Sequence, residues 1–279
     1  MEAARAGARL TVAAEPVRID SADDPRIAGY HAIRERDLVG REHRFIAEGK
    51  VVLNVLFAAR CFAAESALVL DRRLDGMKET LALAPAEMPV YAASQAVMDE
   101  IAGFHIHRGV LALGRRRGDE DVDALLSGLP GDALVVALCG ISNHDNVGAI
   151  FRNAAAFEAD AVLLDATCCD PLYRKAIRVS VGAALKVPFA TLPDEAALSA
   201  ALERHGFAQL ALSPAGTDDV ADIRRDGRIA LWLGAEGHGL PAATMARMRT
   251  VRIAMSDAFD SLNVATAGAI ALHRLWRGK

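Results

Sequence analysis

Short apolar runs alternate with amphipathic stretches along most of the chain. Val52, Val55 and Leu56 share one face of a predicted helix, because residues three or four apart lie on the same side of a helix. Later runs predict strands at 67–71, 88–94 and 109–114. Ser94 is placed to cap a helix predicted at 94–103. Together these elements predict a compact α/β unit.

The second half of the chain carries four apolar runs of strand length, separated by helical segments, at 134–140, 161–166, 207–213 and 229–234. Runs that are apolar throughout are typical of a mostly parallel sheet with helices on both faces. A charged stretch that ends in Gly128, Pro130 and Gly131 separates the two halves. We therefore predict an α/β protein with the following divisions: a tail or single edge strand at 1–24, a smaller first domain at 25–118, a linker at 119–132 and a second domain at 133–279.

The composition fits a globular protein and limits how it could bind a polyanion. Hydrophobic residues make up 52% and charged residues 24% of the 279 residues, which excludes disordered and collagenous chains. The formal net charge of −4 gives no overall attraction to nucleic acid, so an RNA surface has to be a local patch. Candidate phosphate contacts are the arginines of two basic clusters: Arg34, Arg36, Arg41, Arg44, Arg115, Arg116 and Arg117. Acidic residues between the first four leave an ion-paired surface as the alternative.

Cysteine spacing and hydropathy indicate whether the chain is a metal-binding, secreted or membrane protein. Cys61, Cys139, Cys168 and Cys169 have no CxxC spacing, so we predict reduced, packed thiols and no metal site. The chain has no apolar run of about 18 residues, the length that a membrane helix needs. The first residues lack the apolar stretch and cleavage signal of a secretion leader. We expect a cytoplasmic protein with no membrane contact.

Three loops of the second half follow predicted strands, at the sheet edge where open α/β proteins bind ligands. The first, at 139–157, contains Asn146 and Arg152 and leads into a helix that is predicted to start near Val147. The second, at 231–241, holds Glu236 among glycines that would let the backbone approach a ligand closely. Those glycines match neither the dinucleotide nor the triphosphate fingerprint.

The third loop, at 251–273, precedes a helix rich in small residues. Ser261 and Asn263 stand near the start of this helix, where either side chain could cap it or face a ligand. Because all three loops follow strands of one sheet, we predict that they form a single site.

In this order, the three segments resemble the three motifs of the SpoU family of RNA ribose 2′-O-methyltransferases, within the SPOUT superfamily. The matching residues are Asn146, Gly148, Arg152, Gly234, Glu236, Gly237, Gly239, Ser261, Leu262 and Asn263. Residues 170–189 resemble the family's stretch between the first two motifs, and 46–114 resemble the ribosomal-protein-like domain that holds RNA in many members. Family members often have proline where this chain has His144 and Ala254.

The resemblance implies methyl transfer from S-adenosylmethionine (SAM) to a ribose 2′-hydroxyl of tRNA or rRNA. It further implies a homodimer, with helix 261–275 as a candidate interface, and a C-terminal domain tied in a trefoil knot. The implied catalytic residues are Asn146, Arg152, Glu236, Ser261 and Asn263. The residues implied to hold SAM are Leu212, Ser213, Leu233, Gly234, Gly239, Ile253, Met255 and Leu262.

The role of Arg152 and the activity itself leave alternatives. Arg152 could accept the hydroxyl proton or clamp a phosphate, and its pKa above about 12 favours the clamp. One alternative to the enzyme is an RNA-binding protein that keeps the fold without transferring methyl groups. Another is a dinucleotide-dependent enzyme with Asp165 as its ribose-binding acid, although the glycine fingerprint for that fold is missing.

Overall fold

A computed structural model describes residues 15–31, 39, 42–103, 105–118, 121–256, 258 and 260–278. The chain divides into two compact units, Met1–Arg117 and Gly118–Lys279. Each unit packs helices on its own sheet, so the predicted α/β class is confirmed. In the described part of the chain, no helix combines the length and the apolar character needed to cross a membrane.

The first unit is built on a mixed sheet. Its elements are β1 (Val17–Ile19), β2 (Arg44–Glu48), α1 (Lys50–Ala58), β3 (Phe62–Leu70), α2 (Leu74–Leu81), β4 (Val90–Ala93), α3 (Gln95–Ala102) and β5 (Val110–Arg116). Within the described residues the sheet has five strands in the order β1-β4-β3-β5-β2. β4 runs parallel to β1 and β3, whereas β5 runs antiparallel to β3 and β2.

Two local interactions explain how the sequence forms this unit. Ser94 caps α3 as predicted, because its hydroxyl oxygen accepts a hydrogen bond from the amide of Val97. Tyr30 is buried, and its hydroxyl lies 2.7 Å from that of Ser66 and accepts the amide of Leu113 at 3.2 Å. The phenol therefore ties the 3-10 turn at Pro25–Tyr30 to the middle of the sheet.

The second unit contains a larger sheet. Its elements are α4 (Val122–Ser127), β6 (Leu134–Leu138), α5 (His144–Ala156), β7 (Ala161–Asp165), α6 (Arg174–Val179), β8 (Phe189–Leu192), α7 (Glu195–Arg204), β9 (Ala208–Leu212), β10 (Asp218–Asp219), β11 (Ile229–Leu233), α8 (Ala242–Met245), β12 (Arg249–Arg252) and α9 (Val264–Leu275). The described strands follow the order β10-β12-β9-β11-β6-β7-β8, and neighbouring strands are parallel.

Helices cover both faces of this sheet, as predicted. Trp232 and Val135 belong to a core that they share with Leu198 of α7. The next residue along β11, Leu233, points to the opposite face because side chains alternate along a strand. There α9 approaches so closely that a Cβ on Gly268 would lie 2.9 Å from Leu233 Cδ1.

One element agrees with an alternative that the sequence left open, and two fall where the sequence pattern predicted no helix or strand. β1 lies within the stretch 1–24 that was expected to be a tail or single edge strand, and it forms the edge of the first sheet. α4 lies within the expected linker 119–132, because fully buried Leu126 joins the core of the second unit. β8 was not predicted, since it has only four residues and follows a proline.

Asp165 connects the carboxyl ends of β6 and β7. It is 2% exposed and accepts hydrogen bonds from the amides of Gly140, Thr167 and Cys168 and from the Thr167 hydroxyl, the last at 2.7 Å. Burial alone would raise its pKa, but the hydrogen bonds from Thr167 and Cys139 lead those that outweigh burial and hold the pKa below its usual value. An ionised, fully bonded carboxylate therefore fixes the loop that begins at Gly140.

We predict that Asp165→Asn lowers the free energy of unfolding by about 1–3 kcal/mol at pH 7, because an amide leaves buried donors without an acceptor. The folded-state pKa is depressed, so the wild-type advantage exists above the unfolded-state pKa of about 3.9 and disappears as the pH falls further. Urea unfolding at pH 7 and in acid checks this, with exposed Asp226→Asn as the control. A wild-type advantage that persists at acidic pH would contradict it.

Val181 ends α6 in a strained conformation. Its φ is +54°, in the left-handed region that β-branched residues rarely adopt, and its side chain is 39% exposed. The amides of Val181 and Gly182 donate to the carbonyls of Arg178 and Ile177, which closes the helix end. The helix therefore ends in a motif that usually has glycine where this chain has valine.

We predict that Val181→Gly raises the free energy of unfolding by about 0.5–1 kcal/mol. Left-handed backbone costs an L-residue about 1–2 kcal/mol, and the extra freedom of unfolded glycine offsets part of the gain. Val51→Gly is the matched control, since Val51 is an exposed valine inside α1 and should destabilise on substitution. Equal destabilisation of both variants in urea unfolding would show that Val181 is unstrained.

Candidate active site

The second and third predicted loops line a cavity of about 360 Å³ at the carboxyl edge of the second sheet, and the first adjoins them through Asn146, which hydrogen-bonds Glu236. The eight residues predicted to hold SAM line this cavity together: Leu212, Ser213, Leu233, Gly234, Gly239, Ile253, Met255 and Leu262. Glu236, Ser261 and Asn263 line the same cavity. The strand ends place the loops side by side because β9, β11 and β12 are parallel neighbours.

Glycine allows the second loop to fold back on itself. A Cβ on Gly234 would lie 2.4 Å from the carbonyl carbon of Gly239, so only glycine fits there. Ala235 and Gly239 form an isolated β-bridge, in which the Gly239 amide donates to the Ala235 carbonyl at 3.0 Å. Gly237 takes a φ of +91° in the turn. The loop thus becomes a tight turn that carries Glu236 at the cavity.

Asn146 in the first turn of α5, Glu236 in the second loop and Asn263 at the cap of α9 form one hydrogen-bonded cluster, here called the polar trio. The Asn146 side-chain amide donates to Glu236 Oε1 at 2.7 Å. The Asn263 amide donates to Asn146 Oδ1 at 2.9 Å and to Glu236 Oε1 at 3.1 Å. Among the described residues, none hydrogen-bonds Glu236 Oε2. One carboxylate oxygen is therefore held by the protein while the other can accept a hydrogen bond.

The orientation of Asn263 is fixed by the helix that it caps. Asn263 Oδ1 accepts the amides of Ala265 and Thr266 at 3.0 and 3.2 Å, so the side-chain nitrogen has to face the other two members of the trio. Ser261 lines the cavity and is not the cap. Of the two candidate caps, the structure therefore assigns that role to Asn263.

Arg152 lies apart from the polar trio. It is exposed on α5, six residues after Asn146, which places it about 120° around the helix axis from that residue. Arg152 is not among the described residues that line the cavity, and no described residue forms a hydrogen bond or ion pair with its guanidinium. The structure thus brings four of the five predicted catalytic residues together and leaves Arg152 on an adjoining face.

The predicted basic clusters are only partly within the described residues. Arg34, Arg36 and Arg41 lie outside them. Arg44 and Arg115 are partners across β2 and β5, and both contact Glu65, at 2.8 and 3.0 Å. Arg116 and Arg117 follow at the end of β5. Two of these arginines therefore share one carboxylate, in line with the ion-paired alternative, while their role toward RNA stays a prediction.

The thiols near the first loop are protonated. Burial raises the pKa of Cys139 to about 12 and that of Cys169 to about 12, and it raises the pKa of Cys168 as well. Such thiols are poor nucleophiles.

Among the residues described, no group of three or more histidine, cysteine or acidic side chains is placed to hold a metal ion. Asp165 is buried, and its carboxylate accepts hydrogen bonds from backbone amides such as that of Gly140. It is therefore not available as the ribose-binding acid of a dinucleotide-dependent enzyme.

The sequence did not single out every residue of this site. Pro214, Val264 and Ala267 also line the cavity, and their signal in the sequence is only that they adjoin motif residues. Asp165 gave a clearer signal, as an acid at the end of an apolar strand. Its role in fixing the first loop requires the structure.

Comparisons with known proteins show the family of this chain. A sequence profile of the SpoU rRNA methylase family matches residues 133–273. An uncharacterized tRNA/rRNA methyltransferase of Mycobacterium tuberculosis is 41% identical over 265 residues, covering 91% of this chain and 90% of that protein. A crystal structure of an RNA 2′-O ribose methyltransferase is 26% identical, with a TM-score of 0.77, and covers 94% of this chain and 98% of that chain.

A further solved structure shares the fold over nearly the same length. The AdoMet-bound rRNA methyltransferase of Sinorhizobium meliloti is 22% identical, with a TM-score of 0.79, and covers 93% of this chain and 97% of that chain. The family match spans the sheet, the three loops and the cavity. The chain belongs to the SpoU rRNA methylase family.

Proposed function

We propose that the second unit transfers a methyl group from SAM to a ribose 2′-hydroxyl of tRNA or rRNA. The polar trio at the cavity carries this proposal, because three segments far apart in sequence converge to hold one oxygen of Glu236 and leave the other available. The relatives support the reaction class, since they include a tRNA/rRNA methyltransferase and an RNA 2′-O ribose methyltransferase.

The residues around the cavity fit SAM in size and chemistry. A volume of about 360 Å³ is within the range of small-molecule sites. Apolar walls from Leu212, Leu233 and Ile253 suit an adenine ring, and the Glu236 carboxylate complements a positively charged sulfur. When bound, SAM supplies a methyl group activated by that charge. The eight residues predicted for SAM would hold it.

Glu236 would orient the substrate hydroxyl. Its Oε1 is fixed by Asn146 and Asn263, so Oε2 has a defined position from which to accept a hydrogen bond from the ribose 2′-hydroxyl. As the new carbon–oxygen bond forms, the hydroxyl proton becomes acidic and this carboxylate can accept it. Ser261, which lines the same cavity, would assist in holding the ribose.

Arg152 would act as a phosphate clamp. An arginine keeps its proton in proteins, and its planar fork matches a phosphate better than it serves as a base. Its exposed position on α5, about 120° around the helix axis from Asn146, suits a contact with the phosphate next to the target ribose. The structure thus supports the clamp over the base for this residue.

Three further features belong to the same proposal. The protein would act as a homodimer in the cytoplasm, and Ile270 and Trp276, exposed at 38% and 40%, supply apolar surface on and just after α9. The first unit would hold RNA.

The chain would also form a trefoil knot. In support, β12 pairs with β9, yet the next helix, α9, packs near Leu233 of β11, so the chain passes from β12 back over β9 toward β11.

The first test is incubation of the purified protein with methyl-labelled SAM and unmodified tRNA and rRNA, followed by mass analysis of the nucleosides. We expect a 2′-O-methylated nucleoside, and Arg152→Ala should lower kcat/KM by about 100-fold while SAM binding stays unchanged. Arg152→Lys, which keeps the charge without the fork, should recover part of the rate. Unchanged turnover in Arg152→Ala would remove this residue from the mechanism, and RNA binding without methylation would favour the non-catalytic alternative.

Asn263 allows its cap and its catalytic contacts to be separated. Asn263→Ser keeps a good helix cap but loses the amide donors, whereas Asn263→Ala loses both. We expect kcat to fall by about 10- to 100-fold in both variants, with unfolding destabilised by about 1 kcal/mol only in the alanine variant. Thermal unfolding and single-turnover methylation measure the two effects. Full activity in Asn263→Ser would show that the cap alone matters.

A further inference from the structure

We propose that the groove between α5 and α6 binds the single-stranded RNA segment that carries the target ribose, with an aromatic pair for one base and arginines for the phosphates. The groove is bordered by His144, Asp145 and Arg152 of α5, by Lys175 of α6 and by Tyr173 just before α6, and Arg178 stands next to it on the exposed side of α6. This inference rests on the proposed function and adds the surface that recognises RNA in the second unit.

The packing of α5 against α6 sets the direction of the groove. A Cβ on Gly148 would lie 2.7 Å from the Ala176 carbonyl oxygen and 2.9 Å from Val179 Cβ, so the two helices are in close contact. At their first turns, Lys175 Nζ and Asp145 Oδ2 are 2.7 Å apart. Both contacts advance along the two helices together, so the helices run side by side in the same direction.

The charged side chains lie along the two helices that form this groove. Asp145 and Arg152 are seven residues apart, on one side of α5, and both are exposed. Lys175 and Arg178 are three residues apart, on one side of α6, and both are exposed. Arg152 follows Gly148 by four residues and borders the groove further along α5, whereas Arg178, about 100° around the helix from Val179, lies on the outer exposed side of α6 next to the groove.

The two arginines are available for phosphate. Asp145 neutralises Lys175 in part, but in the described residues neither Arg152 nor Arg178 has a side-chain hydrogen bond or ion pair. Residues 119–279 contain 15 Lys and Arg against 20 Asp and Glu, so this groove is a local positive feature on an acidic unit. Exposed arginines of this kind bind phosphates without reading sequence.

The aromatic pair lies at the end of the groove nearest the polar trio. The rings of His144 and Tyr173 are 4.7 Å apart with planes inclined by 50°, and both residues are partly exposed. Aromatic faces that reach solvent beside basic groups are how proteins stack on unpaired bases. His144 is two residues before Asn146, so a base on this pair would leave its ribose close to the trio.

The strained end of α6 supplies an independent observation. Val181 keeps an exposed apolar side chain in left-handed backbone, three residues beyond Arg178. Such strain persists where a function requires the conformation. Val181 therefore holds an exposed apolar side chain next to the proposed RNA surface.

The test compares groove variants with a matched control outside the groove. Arg178→Gln and Tyr173→Ala change the groove, Tyr173→Phe keeps the ring, and Arg247→Gln removes the same charge from an exposed site near the amino ends of the strands. Binding of unmodified tRNA transcripts and of an unmodified 23S rRNA transcript is measured by filter retention at several salt concentrations. Methyl transfer and SAM binding are measured in parallel.

We expect Tyr173→Ala to weaken RNA binding by about 5- to 100-fold, the loss typical of one base stack, and Tyr173→Phe to bind as the wild type does. Arg178→Gln should weaken binding and lower the slope of log affinity against log salt by about 0.7, as for one lost phosphate contact on a single strand. SAM affinity and the melting temperature should stay unchanged. Arg247→Gln should behave as the wild type in every measurement.

The outcomes separate this inference from the proposed function. If Arg178→Gln keeps the wild-type affinity and salt slope, or Tyr173→Ala binds as well as Tyr173→Phe, the groove does not bind RNA even if methyl transfer proceeds. If the wild type binds RNA with the expected salt dependence but transfers no methyl group, the proposed function fails and the groove assignment stands.

Discussion

The hydrogen bonds among Asn146, Glu236 and Asn263 are the constraint on which the rest of the second unit depends. Each residue comes from a different segment of the chain, and each contact is 2.7 to 3.1 Å long. The side-chain amide of Asn263 could be oriented in two ways, and the cap on α9 fixes which way its oxygen and nitrogen point. The position of Glu236 is therefore set by backbone structure in α5 and α9, not by its own exposed loop. A carboxylate fixed in this way needs little reorganisation when a substrate arrives.

Such contacts require backbones to approach more closely than side chains normally allow. Gly234 permits the turn that carries Glu236, and Gly268 permits α9 to lie against Leu233. Gly148 does the same where α5 meets α6. Glycine inside a helix destabilises it by about 1 kcal/mol relative to alanine. Both helices that supply an asparagine to the trio nevertheless contain one: Gly148 in α5 and Gly268 in α9. Local helix preference thus yields to the geometry of the site.

The sequence predicted the elements whose patterns are complete in themselves. β6 and β11 are uniformly apolar, β7 is apolar up to its last residue, Asp165, and α3 carries its own cap in Ser94. β8 and α4 were missed or placed in a linker, because each is short and depends on contacts made elsewhere in the chain. The pattern of apolar runs alone could not show that fully buried Leu126 completes a core built mainly from later strands.

The site was predictable to the extent that residue types and loop positions determine it. Motif resemblance and position at the strand ends selected eight residues that line one cavity. Side-chain direction was not predictable: the sequence left Ser261 and Asn263 as equal candidates for the cap, and it did not show that Arg152 faces away from Asn146. Those outcomes depend on helix phase and on which oxygen meets which amide, and a one-dimensional pattern does not fix them.

The separation of Arg152 from the cavity explains how an acidic unit can select RNA. Affinity for RNA without sequence preference grows with the number of phosphates that a protein contacts. On this unit, where acids outnumber bases, the arginines best placed for phosphate are those without an acidic partner among the described residues, and Arg152 and Arg178 on the exposed sides of α5 and α6 are two of them. A backbone that follows those arginines passes beside α5, the helix that also places Asn146 in the trio. One helix, α5, therefore carries both an exposed arginine and a member of the polar trio, which is the arrangement that the proposed reaction requires.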